Sequence, residues 1–392
     1  MVRLPLNQSM LSRMKWEYER NRTGDDDLLC LGTADMDFRS PDPILKALSS
    51  VIENGHLGYP FPRKEYFDSI YRFLLSKNWD VDVEKSIQNN VGIYSGIWTA
   101  IDSLSLPGDE IIFQTPVHFC FKMMIEENGR IPVENPLVCI NGRYEMDFDN
   151  LERCFTDKTR IFWLCNPHNP VGRAWTAEEL MRLAEICLRH NVIIVSDDVY
   201  FGHVYKGTVY TPIASLSKEI SENTITFYST SKSFNTTGLK HSFLITENES
   251  LFSKCYKSLR KLDLHFGITQ FGIEATIAAF NECGPWLEEV MELVDSNRSF
   301  IQNFLTTNMP KAYMAKSDST YFAWINFTCL DIEPQNLASV FEKEGHVEVG
   351  NGSDLGTGGD GWIRLNMGCS LQTLSEAMRR MKEVYDNHLV EG

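Results

Sequence analysis

The chain has 392 residues, 43% of them hydrophobic and 11% aromatic, enough for about two domains with a large interior and too apolar for a disordered polymer. Its formal net charge of −16 provides no broadly basic surface, so neither nucleic acid nor an anionic membrane is expected as a partner. Ten cysteines are scattered without a single Cys-x-x-Cys, which points to free thiols in a reducing cytoplasm and to no metal site or disulfide framework.

The first twenty residues hold no apolar core and no small-residue cleavage site, so no leader is expected. No apolar run approaches the roughly 20 residues that span a bilayer. Residues 90–97, Asn-Val-Gly-Ile-Tyr-Ser-Gly-Ile, lead into an apparent helix from Trp98 to Leu104. Small residues and free backbone N–H groups at such a start suit an anion. A short apolar run at 111–113 follows the turn Pro107-Gly108-Asp109, and another at 161–166 runs into the loop Pro-His-Asn-Pro-Val-Gly. Thr176 and Glu179 spell a capping box ahead of the apolar face Leu180, Leu183, Ala184 and Cys187.

The run at 192–198, Val-Ile-Ile-Val-Ser-Asp-Asp, reads as a strand buried on both faces, and runs at 225–230 and 241–246 continue the series. Short apolar strands alternating with helices predict an α/β fold: a large domain with a mostly parallel central sheet covered by helices, over 56–285. After residue 285 the pattern changes to a long amphipathic helix over 287–307 and shorter pieces. Residues 1–55 and 286–392 are expected to form a smaller α+β domain.

Ligands in such sheets bind beyond the carboxyl ends of the strands, where three loops are informative. Lys232 lies among Ser229, Ser231, Phe234 and Gly238 just after a strand, a poor place for a solvated charge. Desolvation there lowers an amine's pKa and frees it as a nucleophile or base. Ser229-Thr-Ser-Lys232 matches the Ser-x-x-Lys of penicillin-recognising enzymes, but their Ser-Asp-Asn and Lys-Thr-Gly elements are missing. The other chemistry is a Schiff-base lysine for pyridoxal 5′-phosphate, which also needs an acid for the ring nitrogen, donors for the ring oxygen, a stacking partner and a phosphate cradle. Asp197 ends a strand and supplies the acid. Tyr200 and Asn169 supply donors. Residues 90–97, Ser229 and Lys240 supply the cradle. Gly356-Thr-Gly-Gly-Asp-Gly361 fits the dinucleotide fingerprint only literally, since a strand-like run follows it and not a helix; it reads as a flexible loop. Arg364 sits in a hydrophobic run, suited to an ion pair or to a bidentate grip on a carboxylate.

The ordered set Asn169, Asp197-x-x-Tyr200, Ser229-x-Ser-Lys232 and Arg364 resembles the fold type I pyridoxal-phosphate enzymes. Within them the chain resembles the MalY/PatB-type cystathionine β-lyases, through Lys15-Trp16, Ala34-Asp-Met-Asp-Phe38, Gly58-Tyr59-Pro60 and Leu164-Cys-Asn-Pro-His-Asn-Pro-Val-Gly-Arg173. Ser231-Lys-Ser-Phe-Asn235 and Arg364-Leu-Asn366 extend the match to nearly the whole length. The resemblance implies that Lys232 carries the cofactor, Asp197 pairs with its ring nitrogen, and Asn169 and Tyr200 hold its ring oxygen. Tyr94, Ser95, Ser229 and Lys240 would bind phosphate. Arg364, Ala34 and Asp35 would face a small amino-acid substrate, and Tyr59 would reach a neighbouring subunit's cofactor in a homodimer. It implies a C–S β-lyase, with an aminotransferase as the alternative chemistry on the same residues. The chain departs from the family at His118, where a stacking tyrosine is usual, at Asp198 and Tyr200 in place of Glu and His, and at Gly32-Thr33 in place of Trp-Val. An imidazole at 118 would be expected to titrate near neutral pH.

Overall fold

A computed structural model describes residues 2–3, 12–265 and 268–390. Part of the N-terminal stretch read above for a leader lies outside the described residues. The apolar runs become strands of a seven-stranded sheet: β1 (Ile87–Asn90), β2 (Glu110–Thr115), β3 (Ile131–Pro136), β4 (Thr159–Cys165), β5 (Ile193–Asp197), β6 (Thr224–Tyr228) and β7 (Ser242–Ile245). Their spatial order is β1-β7-β6-β5-β4-β2-β3. Every neighbouring pair is parallel except the two that involve β7, which runs antiparallel to both β1 and β6. The fold is therefore α/β with a mostly parallel sheet. Six strands point their carboxyl ends the same way, which places the loops after Asn90, Thr115, Cys165, Asp197 and Tyr228 along one rim.

Burial explains the continuous apolar patterning. All five residues of β6 are buried, as are four of the five in β5, because helices cover both faces. On one side the helix Gly92–Leu104 packs Ile97, Ala100 and Ile101 over Ile111, Ile161, Val195 and Ile225. On the other, the helix Ala177–Arg189 brings Leu180, Leu183 and Ala184 against Phe162, Leu164 and Ile194. That helix starts as its sequence predicts. Thr176 accepts from the Glu179 N–H at 3.2 Å, and the Glu179 carboxylate accepts from the Thr176 N–H at 2.8 Å.

Beyond the long helix Gly284–Asn308 a second sheet forms from Tyr313–Met314, Phe322–Asn326, Trp362–Asn366 and Gly350–Asn351. Helices Leu337–Gly345 and Leu371–His388 back it. The N-terminal segment joins this part through a two-residue parallel ladder, Leu29 opposite Val347 and Cys30 opposite Glu348. The glycine-rich stretch 356–361, read from its composition as a loop, has a defined path. Gly356, Gly358 and Gly361 take φ of 90°, 88° and 77°, a region that favours glycine, and they form a bonded turn. The Gly359 N–H bonds the Gly356 carbonyl at 3.1 Å, and the Thr357 N–H bonds Glu134 at 3.1 Å.

Candidate active site

A cavity of 260 Å³ opens at the carboxyl rim of the parallel strands. Each wall is the end of a strand or the start of a helix. The β1–helix turn contributes Val91, Gly92 and Tyr94, and the loop after β2 contributes His118 and Cys120. Cys165 ends β4 and Asn169 follows it, Asp197 ends β5 and Tyr200 follows it, and Ser229, Ser231 and Lys232 follow β6. Lys240 and His241 come just before β7, and Ala34 crosses over from the N-terminal segment. Trp163 and Phe121 stack at 3.9 Å to form an apolar floor.

Lys232 is half-buried and donates from Nζ to the Ala34 carbonyl at 2.9 Å. Burial pulls its pKa below the ordinary lysine value, while Asp35 and Asp197 pull back and Arg364 and Lys240 add to the lowering. Asp197 accepts the Val199 N–H at 3.2 Å, and burial raises its pKa to about 6 despite that bond and the nearby Lys232. Asp35, beside Lys232, is likewise raised by burial. An amine held low between two carboxyls held high, Asp197 on the cavity wall and Asp35 outside its lining, is the pattern of a proton-handling site.

Asn169 and Arg364 arrive from different sheets and meet: Arg364 Nη1 donates to Asn169 Oδ1 at 3.2 Å. Arg364 is buried, donates from Nη2 to the Gly32 carbonyl at 2.8 Å, and lies 4.5 Å from the centre of the Phe322 ring. Its Nε has no partner among the described residues. Tyr200 is buried against Tyr321, and the Tyr321 hydroxyl donates to the same Ala34 carbonyl at 3.1 Å. His118 departs from the expectation of a near-neutral titration. Burial, helped by the cations Arg364 and Lys232, pushes its pKa down to about 3, so the imidazole is neutral at physiological pH.

Some expected residues stand apart from the cavity wall. The Ser95 hydroxyl bonds back to the Val91 carbonyl at 2.7 Å on its own helix. Tyr94 lines the cavity but is 44% exposed, with its hydroxyl 3.4 Å from Glu127. Tyr59 is 93% exposed and is not among the lining residues. Ser229 donates to the His241 carbonyl at 2.6 Å and accepts the Ser231 N–H at 3.1 Å, while Lys232 is bonded to Ala34; this does not support the Ser-x-x-Lys alternative.

Sequence reasoning overlooked Ser231, Thr237, His241 and Trp163 as wall residues, and it missed why several motif residues matter. Besides Lys232 and Tyr321 at Ala34, three more side chains from other segments hold the loop 33–38. Asn235 donates to the Met36 and Phe38 carbonyls at 2.9 and 2.8 Å, and Asn366 donates to those of Thr33 and Asp35 at 2.7 and 2.8 Å. Lys15, 1% exposed, donates to the Asp35 carbonyl at 3.1 Å and pairs with Asp37 at 3.1 Å. The last residues of Ser-Lys-Ser-Phe-Asn and Arg-Leu-Asn thus position the loop that carries Ala34.

With this geometry in place, comparison with known proteins is decisive. Residues 26–381 match the family model "Aminotransferase class I and II". The chain belongs to that family. It is 36% identical over 371 residues to cystathionine beta-lyase PatB of Bacillus subtilis, covering 94% of this chain and 95% of that one. Among solved structures, cystalysin from Treponema denticola, which contains pyridoxal 5′-phosphate, superposes with a TM-score of 0.93 at 27% identity, over 97% of this chain and 98% of that one. The pyridoxal-phosphate-bound C–S lyase from Staphylococcus hominis gives 0.89 at 25% identity, over 98% and 97% of the two chains. The strands, rim and C-terminal sheet described above are thus those of this aminotransferase family.

Proposed function

We propose that this family member is a pyridoxal 5′-phosphate-dependent C–S β-lyase that converts cystathionine, cysteine or a related S-substituted amino acid to thiol, pyruvate and ammonia. The observation that carries it is the convergence of Lys232, Asp197, Asn169, Tyr200 and Ser229 on one cavity. The donor set fits the cofactor: one amine of lowered pKa, one buried carboxyl at a strand end, and a helix start of 13 residues facing the same space. Among the described residues the buried His241 Nδ1 has no partner, and it adds a polar atom beside the cavity.

When bound, pyridoxal phosphate supplies a carbonyl for the substrate amine and a protonated ring that accepts the electrons of the broken Cα–H bond. Lys232 takes the Cα proton, a role favoured by the lowering of its pKa through burial. Asp197 keeps the ring nitrogen protonated, and Asn169 and Tyr200 donate to the ring oxygen. A neutral His118 on the cavity wall would lie against the ring. Ser229, Lys240 and the helix start with Tyr94 would hold the phosphate, and Ser95 would join them only by leaving its bond to the Val91 carbonyl. Arg364 grips the substrate carboxylate through its unpartnered Nε and an Nη, while Ala34 and Asp35 line the substrate side. The Cβ–S bond then breaks, the sulfur leaving with the electron pair, and water completes pyruvate and ammonia.

The test is turnover of cystathionine by protein loaded with cofactor in the absence of any keto acid. Thiol and pyruvate in equal amounts support the lyase; turnover that requires 2-oxoglutarate makes the protein an aminotransferase. A homodimer accompanies this reading. Tyr59 and Phe61, 93% and 85% exposed on a proline-bearing loop, would meet a second copy and bring Tyr59 to its cofactor. Ten free thiols suit a cytoplasmic setting.

A further inference from the structure

Arg364 has an unusual environment for a substrate anchor. No carboxylate lies within salt-bridge distance of it among the described residues, and its orientation rests on two neutral acceptors, Asn169 Oδ1 and the Gly32 carbonyl. The second acceptor is itself held. The Gly32 N–H donates to the Glu348 carboxylate at 2.9 Å, so Gly32 is bonded at one end to an acid and at the other to the guanidinium.

Glu348 cannot drift. Its backbone is paired with Cys30 in the parallel ladder, and its carbonyl accepts the Leu31 N–H at 2.8 Å. Arg364 is fixed by its own ladder opposite Gly350. Two rigid strands therefore meet across one glycine. Space at position 32 is tight: a Cβ there would meet the Glu348 carboxylate, so a larger residue would push that side chain away from the Gly32 N–H. The bond from Glu348 and the side-chain-free Gly32 form one unit.

We propose that Glu348 is a positioning residue for carboxylate recognition: by holding Gly32 it aims the Arg364 guanidinium at the cavity edge beside Asn169. The proposal rests on Arg364 being the carboxylate anchor. A planar fork gains from two parallel bonds only when its plane is set, so loosening the acceptor that orients it weakens the grip without touching the proton-transfer groups. Glu348 acts through Gly32 and does not contact the substrate.

The test uses cofactor-loaded protein and propionate, a carboxylate with no amine to condense, titrated by calorimetry, with kcat and KM for cystathionine alongside. Glu348→Ala is expected to weaken propionate binding by about tenfold and to raise KM to a similar degree, with kcat within about twofold. Glu348→Gln keeps an acceptor for the Gly32 N–H and should restore both to within about threefold of the parent. A purely structural role would lower kcat and KM behaviour together and would not be rescued in this split. Arg364→Ala is the control. If it abolishes propionate binding while Glu348→Ala binds like the parent, the positioning role is overturned and the anchor stands. If Arg364→Ala itself binds propionate normally, the anchor reading fails and the positioning role with it. Should Glu348→Ala not fold, a Glu348→Gln variant with tenfold weaker binding would equally overturn the proposal, because charge and not the held peptide would then be the determinant.

Discussion

Asp197→Asn separates the stability of this protein from its chemistry. Burial raises the Asp197 pKa from 3.8 to about 6, so the cofactor-free protein prefers the protonated acid. The stabilisation that this proton supplies is fully present below 3.8 and is lost as pH rises through about 6. Above that, an ionised carboxylate sits buried at a cost of roughly 3 kcal/mol. Asparagine carries no charge and keeps an oxygen for the Val199 N–H. Without cofactor, the variant should therefore be more stable than the parent by up to roughly 3 kcal/mol at pH 7.5, shrinking to about 1 kcal/mol at pH 4.5. Denaturant midpoints of the cofactor-free proteins at the two pH values measure it. Adding pyridoxal phosphate should reverse the order, because only the carboxylate pairs with the ring nitrogen, and turnover should be lost. A variant less stable than the parent at pH 7.5, or a gain independent of pH, would refute the reasoning.

Ser229→Ala removes a group that bonds His241 and Ser231 at the cavity wall; cofactor affinity in a reconstitution titration should fall about tenfold. Arg173 grips Glu179 through two bonds of 2.9 and 2.8 Å and Asp318 through one of 3.0 Å. Arg173→Ala leaves Glu179 only the Thr176 N–H while Asp318 keeps its two bonds from Arg143, and should cost about 2 kcal/mol in chemical unfolding. At Gly352 an added Cβ would land on the carbonyl oxygens of Gly359 and Trp362. Gly352→Ala should lose more than about 4 kcal/mol, seen as insoluble expression or a collapsed thermal midpoint, and a wild-type melting curve would contradict this close approach of Gly352 to the 356–361 turn.

What was legible in the sequence shares one property: its signal is local. β4, β5 and β6 show as apolar runs because both faces are covered, and the helix at Ala177 shows because Thr176 and Glu179 must stand three apart to bond. Lys232, Asp197 and Asn169 were readable because each stands at a strand end in a loop of distinctive composition. The direction of β7 was not, since Ser-Phe-Leu-Ile has the same pattern whichever way it runs. Nor were Tyr321 and Glu348, whose roles come from segments about 290 to 320 residues away that no spacing encodes. His118 was recognised as a departure, yet its neutral state depends on burial and on two cations, Arg364 and Lys232, brought near only by the fold.

The placement of β7 also has a consequence for the order in which the chain can assemble. Among the described residues β1 bonds to no strand but β7, so the first strand of the sheet to be synthesised waits for the last. Closing a loop of that length is slow, because its entropy must be lost before any ladder bond compensates. The helix Gly92–Leu104 follows β1 directly, and Lys240 and His241 precede β7 directly. These two parts of the cavity wall are therefore brought together by one late event. A nascent chain ending before residue 242 would carry Lys232 and Asp197 beside an unfinished wall.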